Sequence, residues 1–222
     1  MPPKAIFLDV DGTLIDSNDF RVDAWAEAFH DAGLLVERKQ IRAQVGKGAD
    51  ILIPSLFPDL NPKRREKIDR RHSEIFASRY RSQVKPFAMA GDLIGRLHND
   101  GRQVIIATSS KQDDVTYYAD LLGVTDIIDG VTTSEDVESS KPTGDIFHSA
   151  LAKVFPTGAN EAIAIGDSPY DVLGAKKNQV RTIALLSGGF SELVLEEAGA
   201  VAIYHSVKDL YEHYDESPLV RD

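Results

Sequence analysis

Cysteine is absent from the 222-residue sequence, which removes disulfides, thiolate metal sites and cysteine nucleophiles together. Positive charge is scarce: 25 lysines and arginines stand against 35 aspartates and glutamates, a formal net charge of −10. A general polyanion binder needs net positive potential to attract phosphate backbones, so no nucleic acid partner is expected. No apolar stretch reaches the length of a membrane span, which leaves no membrane partner either. Met1-Pro2-Pro3-Lys4 leads straight into the short run Ala5-Ile6-Phe7-Leu8 without the apolar region of a signal peptide, and a cytoplasmic location is the expectation. Internal repeats and low-complexity tracts are missing as well. What is present, 42% hydrophobic residues over this length, suits one large globular domain or a main domain carrying a smaller insertion.

Apolar runs of strand length recur at Ala5 to Leu8, Gln103 to Ala107, Ala162 to Ile165 and Thr182 to Leu186. Helix-period segments lie between and after them, at Asp92 to Asn99, Asp113 to Leu122, Asp145 to Val154 and Tyr170 to Lys177, with Gly101 and Gly123 placed as helix stops. Alternation of this kind predicts an α/β fold with a doubly wound parallel sheet. The rhythm breaks from about Ser17 to about Lys85, which offers helical segments and no convincing strand. Phe20 to Ala32 reads as a helix stopped by Gly33, and Asn61-Pro62 as an N-cap followed by proline at the first helical position. The predicted organisation is therefore an α/β core over 1–16 and 86–222 with a helical domain inserted at 17–85. Within the insertion, the basic run Lys63-Arg64-Arg65, continued by Lys67, Arg70 and Arg71, reads as a solvated helix face, diluted by Glu66, Asp69 and Glu74.

The segment Asp9-Val10-Asp11-Gly12-Thr13-Leu14 follows the first apolar run. Two carboxylates at a strand end can serve one reacting centre, because the chain leaves the sheet there and its side chains enter the crevice. Asp-Gly is also ordinary turn chemistry, so the segment needs support from elsewhere. Three later segments supply it. Thr108-Ser109-Ser110 follows the second strand and could hold a phosphate, although Ser109 with Gln112 also spells a capping box. Lys141 in Ser140-Lys141-Pro142 precedes a helix; on its own it reads equally as a surface lysine. Gly166-Asp167-Ser168-Pro169-Tyr170-Asp171 places a second carboxylate pair at a strand end, where Asp167-Ser168 could equally cap the next helix.

Taken in order, these four segments resemble the motifs of the haloacid dehalogenase superfamily, in its phosphatase branch with a helical cap inserted after the first strand (phosphoglycolate phosphatase and β-phosphoglucomutase-like). The resemblance implies a Rossmann-like core and a magnesium-dependent phosphoric monoester hydrolase that forms an aspartyl-phosphate on Asp9, with Asp11 as acid and base. It also implies that Lys141, Thr108 and Ser109 hold the phosphoryl oxygens. Four carboxylates around an incoming phosphate dianion need offsetting cations, and magnesium and Lys141 would meet that need. The Asp9 carboxylate, the Asp11 carbonyl and Asp167 are the expected metal ligands, while Asp171 orients water or Lys141. A small phosphorylated metabolite, such as phosphoglycolate or a sugar phosphate, is the implied substrate class.

Relatives with dehalogenase activity characteristically lack the second aspartate of the first motif, so Asp11 argues against that activity. Hexose-phosphate mutases of the family carry a Glu-Asp pair and a cap histidine where this sequence has Gly166-Asp167 and Arg21, which places phosphatase ahead of mutase. A catalytically silent phosphate-binding or regulatory protein is the third reading. In the insertion, Val45-Gly46-Lys47-Gly48 brackets a lysine between glycines that permit close backbone approach. Lys47 is accordingly either a substrate-binding residue over the crevice or part of a plain helix-helix turn.

Overall fold

The computed structural model describes residues 2–221. Strand β1 (Ala5–Leu8) is followed by a two-residue strand, β2 (Ile15–Asp16), which pairs antiparallel with β3 (Lys85–Pro86). Between that pair run helices α1 (Asn18–Asp31), α2 (Arg38–Arg42), α3 (Ala49–Leu56) and α4 (Pro62–Ile75), the last continuing into a wider π turn over Phe76–Tyr80. The β2–β3 pair thus ties the entry and exit of the helical segment together. Beyond it the chain alternates: α5 (Ala90–Asn99), β4 (Gln103–Ala107), α6 (Gln112–Leu122), β5 (Gly130–Thr132), α7 (Asp145–Lys153), β6 (Ala162–Gly166), α8 (Pro169–Lys177), β7 (Arg181–Leu185), α9 (Glu192–Ala198), β8 (Ala202–Tyr204) and α10 (Val207–Glu212).

Six strands form one parallel sheet in the order β5-β4-β1-β6-β7-β8. The expected α/β, doubly wound architecture is what the chain adopts. Both faces of β1 are covered. Ile6 and Leu8 join a cluster with Val104, Ile106, Leu93 and Leu210, whereas Ala5 and Phe7 pack with Ile105, Ala164 and Phe147. The Phe7 and Phe147 rings lie 6.4 Å apart. Fully burying a side chain of that size contributes about 1.5–3 kcal/mol, which explains why a strand of only four residues can anchor the sheet.

Register matters more for function than length. Leu8 is paired with Ile106 of β4 on one side and Ile165 of β6 on the other, so Asp9, Thr108 and Asp167 leave the sheet at one edge. Several boundaries differ from the sequence expectation. Strand β7 begins at Arg181, and Leu186 starts a 3₁₀ turn through Gly188 instead of ending the strand. Strands β5 and β8 were not expected: each has three residues, and most of them are only half-buried, so neither gives a strong apolar run. The capping box proposed for Ser109 and Gln112 is not formed. Helix α6 starts at Gln112 behind Lys111, and the Gln112 amide donates to Glu135 Oε2 at 2.8 Å. Asn61 caps α4 as expected, accepting from the Arg64 amide at 3.0 Å.

Candidate active site

Asp9 stands where β1 ends, and Lys141 reaches it from the loop before α7. The Lys141 ammonium donates to Asp9 Oδ1 and to Asp171 Oδ1, each at 2.6 Å. At 1% exposure Lys141 is no surface lysine. Asp171 is consumed on its other side as well, since Oδ2 accepts from the Ser168 amide at 3.1 Å and the Ser168 hydroxyl at 2.6 Å. Ser168 is the N-cap of α8 with Pro169 in its first turn. The helix-capping and site readings of this segment therefore hold together: the cap fixes the carboxylate that holds the lysine.

Asp167 is buried beside them and accepts from Asn18 Nδ2 at 3.0 Å and Thr13 Oγ1 at 3.2 Å. Its carboxylate lies against two glycines. Gly12 has φ of +80°, and a Cβ there or at Gly188 would overlap the Asp167 oxygens. Ser187, in the same turn after β7, donates to the Gly12 carbonyl at 2.6 Å, so a fourth strand end shapes the site without having been legible in the sequence.

One ammonium does not neutralise three buried carboxylates. Burial, opposed by Lys141 and reinforced by Asp171 and Asp11, pushes Asp9 up to about 7. Burial with the charges of Asp9 and Asp171 likewise drives Asp167 well above the ordinary carboxylate range. Carboxylate oxygens of Asp9, Asp167 and Asp171 all lie within 4.8 Å of one another. Hard oxygen donors in that excess fit a divalent cation such as magnesium. Lys141 and the α8 cap hold Asp171, whereas among the described residues Asp167 accepts only from the neutral Thr13 and Asn18 groups and Asp9 accepts from Thr13 at 3.3 Å besides Lys141. Asp9 and Asp167 are thus the carboxylates with weaker neighbours to give up to a cation, and the Asp11 carbonyl accepts no hydrogen bond among the described residues.

The Asp11 side chain turns the other way. Arg21 Nε and Nη2 clamp its two oxygens at 3.0 and 3.2 Å, Ser17 donates at 2.5 Å, and Ser110 and Tyr118 complete the shell. Burial works upward on this carboxyl, but the Arg21 guanidinium and the hydroxyls of Ser110 and Ser17 outweigh it and hold the group below its usual range. Arg21 also donates to Asp114 at 2.9 Å and lies over the Phe76 ring, its carbon 3.6 Å from the centroid. These partners come from three elements far apart in sequence. Of these, Arg21, ten residues after Asp11 on α1, stood out in the sequence only as a departure from histidine, and Ser110 only as part of a phosphate-holding segment.

A cavity of about 370 Å³ opens above Asp9, with Thr108, Ser109 and Lys47 among the residues on its wall. The helical segment closes over it through direct contacts. The Ser109 hydroxyl donates to the Gly46 carbonyl at 3.2 Å, the Ser140 amide to Asp50 Oδ2 at 2.9 Å, and Tyr170 to the Ala43 carbonyl. Gly46, with φ of +102°, comes so near Ser168 that a Cβ would collide with it. Lys47 lies over the Tyr170 ring, 4.6 Å from its centroid, and hydrogen-bonds Gln44 and Ser55.

A buried lysine and converging aspartates thus lie at the carboxyl edge of a doubly wound parallel sheet, on a Rossmann-like core. The chain belongs to the haloacid dehalogenase-like hydrolase family, whose model matches residues 6–185. It is 26% identical over 217 residues to the phosphoglycolate phosphatase of Rhodospirillum rubrum, covering 94% of this chain and 89% of that protein. It is 23% identical over 182 residues to the pyrophosphatase PpaX of Halalkalibacterium halodurans, covering 82% and 83%. A hydrolase from Pseudomonas syringae superposes with a TM-score of 0.90 at 29% identity over 96% of this chain and 98% of that one. The expected family, fold and hydrolase class are thus borne out. No helix among the described residues is long and apolar enough to cross a membrane.

Proposed function

We propose that the protein is a magnesium-dependent phosphatase of small phosphorylated metabolites, acting through an aspartyl-phosphate on Asp9, with residues 17–85 serving as a cap over the cavity. The observation that carries this reading is the Asp9–Lys141–Asp171 relay, whose Asp9 end lines the cavity. Asp9 attacks phosphorus in line as the bond from phosphorus to the leaving alcohol breaks. Lys141, Thr108 and amides near Asp11 and Ser109 hold the equatorial oxygens, where charge must be stabilised through the transition state. Asp11 gives its proton to the leaving oxygen, then takes one from the water that attacks the phosphorus of the intermediate and frees Asp9. Because Arg21 holds Asp11 ionised in the resting site, Asp11 must first leave Arg21 and take a proton from solvent before it can protonate the leaving oxygen, and the proton it then takes from the attacking water restores it. Asp9, Asp167 and the Asp11 carbonyl would hold the magnesium ion, which when bound supplies electrostatic stabilisation and a template for the phosphoryl group. Lys47 on the cavity wall would meet a second acidic or polar group of the substrate.

The test is a phosphate-release screen with and without magnesium over aryl phosphate, phosphoglycolate, sugar phosphates and pyrophosphate, ranked by kcat/KM. Release from a phosphomonoester supports the reading. Silence of the folded protein on every substrate would leave the binding or regulatory alternative, and isomerised hexose phosphate without release would leave the mutase.

A further inference from the structure

Helix α4 brings to the cavity a residue that the phosphoryl chemistry does not use. His72 is 7% exposed and its side chain belongs to the cavity wall. Neither ring nitrogen has a hydrogen-bond partner among the described residues, and Nε2 is sealed from solvent. Buried polar groups in folded proteins are almost always paired, and leaving one unpaired costs about 1–3 kcal/mol. The imidazole lies flat on the Trp25 indole, centroids 3.8 Å apart and planes 5° from parallel, so the ring is held in place without a polar contact. Burial, then the charges of Arg21 and Lys111, keep it neutral, well below the ordinary histidine range. A neutral imidazole offers one donor and one acceptor.

The surrounding charges narrow what it can meet. Lys111 crosses from the sheet side to α4 and donates to Asp69 Oδ2 and Ser73 Oγ, both at 2.9 Å, on either side of His72 in sequence. Arg21 is committed to Asp11 and Asp114. Lys47 has no carboxylate partner among the described residues. One spare cation and one neutral ring, in a wall that also carries Glu135 and Glu138, suit a leaving group rich in hydroxyls and bearing at most one acidic group. A strongly anionic leaving group would find more carboxylates than ammonium groups.

We propose that His72 reads the leaving group through Nδ1, the ring nitrogen that is not sealed, hydrogen-bonding a hydroxyl of a polyhydroxylated phosphomonoester such as a sugar phosphate. The inference rests on the phosphatase reading of the site. His72→Phe preserves the stack on Trp25 and removes both polar atoms; His72→Gln restores a donor and an acceptor. Steady-state kinetics on a panel of three- to six-carbon sugar phosphates and on a minimal aryl phosphate decide the matter. The expected result is a fall of about tenfold or more in the sugar-to-aryl ratio of kcat/KM for His72→Phe, carried by KM, with partial recovery in His72→Gln. Relief of the buried unpaired polar atom should leave the melting temperature of His72→Phe equal to or above that of the parent. If His72→Phe does not fold, His72→Gln against the parent carries the comparison. Proportionate losses on both substrate types, or no loss on either, would overturn the proposal. A parent enzyme that prefers pyrophosphate or phosphoglycolate to every sugar phosphate would also overturn it while leaving the phosphatase reading intact. A parent inactive on all phosphomonoesters would remove the function itself.

Discussion

The cavity has two halves built on different logic. The floor is made by strand ends: β1 and β4, held in register, deliver Asp9 and Thr108 to the cavity, and β6 places Asp167 beside Asp9. The roof is made by helices whose contributions, Lys47, Asp69, His72 and Ser73, come from a loop and from one edge of an otherwise exposed, charged helix. Side chains behind the floor are locked by one another: Lys141 has two carboxylate partners, one of them Asp9, and Asp171 is fixed by a helix cap. On the roof, among the described residues, Lys47 has no carboxylate partner and the His72 ring has no hydrogen bond. On the proposed function the floor serves one reaction, whereas the roof's spare polar capacity would serve recognition of a leaving group.

The largest effects should come from breaking the floor. A chelator should abolish phosphate release and magnesium restore it, while calcium supports it poorly because its longer, looser coordination misplaces the phosphate. Full activity in metal-free buffer would contradict this. The same ion should show in stability. A carboxyl whose folded pKa is raised binds its proton more tightly in the folded state, so the metal-free protein is favoured at low pH. That advantage is lost as pH rises from about 4, the unfolded value, toward the value of about 7 to which Asp9 is pushed. Magnesium should therefore raise the melting temperature more near about pH 8 than near about pH 5. Equal shifts at both would argue against a cation at Asp9 and Asp167.

Lys141→Ala should lower kcat by about 10²–10³ and, by leaving Asp9 and Asp171 buried without their cation, cost about 3–5 kcal/mol in urea unfolding. A surface lysine would show neither change. Asp11→Asn is expected to lower the rate by about 10²–10⁴ on alkyl phosphates, whose leaving oxygen needs a proton, and by much less on an activated aryl phosphate. Equal losses on the two would remove Asp11 from proton transfer. On the roof, Lys47→Ala should raise KM by about three- to tenfold for substrates with a second acidic group and spare the aryl phosphate. A uniform or absent effect would return Lys47 to the plain turn.

The floor was legible because its chemistry is contiguous. Asp9 through Thr13 and Gly166 through Asp171 each place two functional carboxylates within a few residues of a strand end, and the register of the sheet does the rest. Lys141 became legible only in company, since a lysine before proline is ordinary until its burial is seen. The clamp on Asp11 was not legible, because Arg21, Ser110, Asp114 and Tyr118 converge from α1, a loop and α6. His72 was hidden by its surroundings. The run from Lys63 to Arg71 is mostly exposed, as its charge pattern indicated, yet the same helix turns His72 inward beside Ile68 and Ile75. The short strands β5 and β8 lacked the apolar length that marks β1 and β6.

Whether Asp9 is the nucleophile is decided by phosphate release from an aryl phosphate by the purified parent and by Asp9→Asn, in magnesium, with circular dichroism to verify the fold. An amide cannot act as the anionic nucleophile, so the parent should turn over and the folded variant should show no release above background. Near-parental release by a folded Asp9→Asn protein would contradict the account.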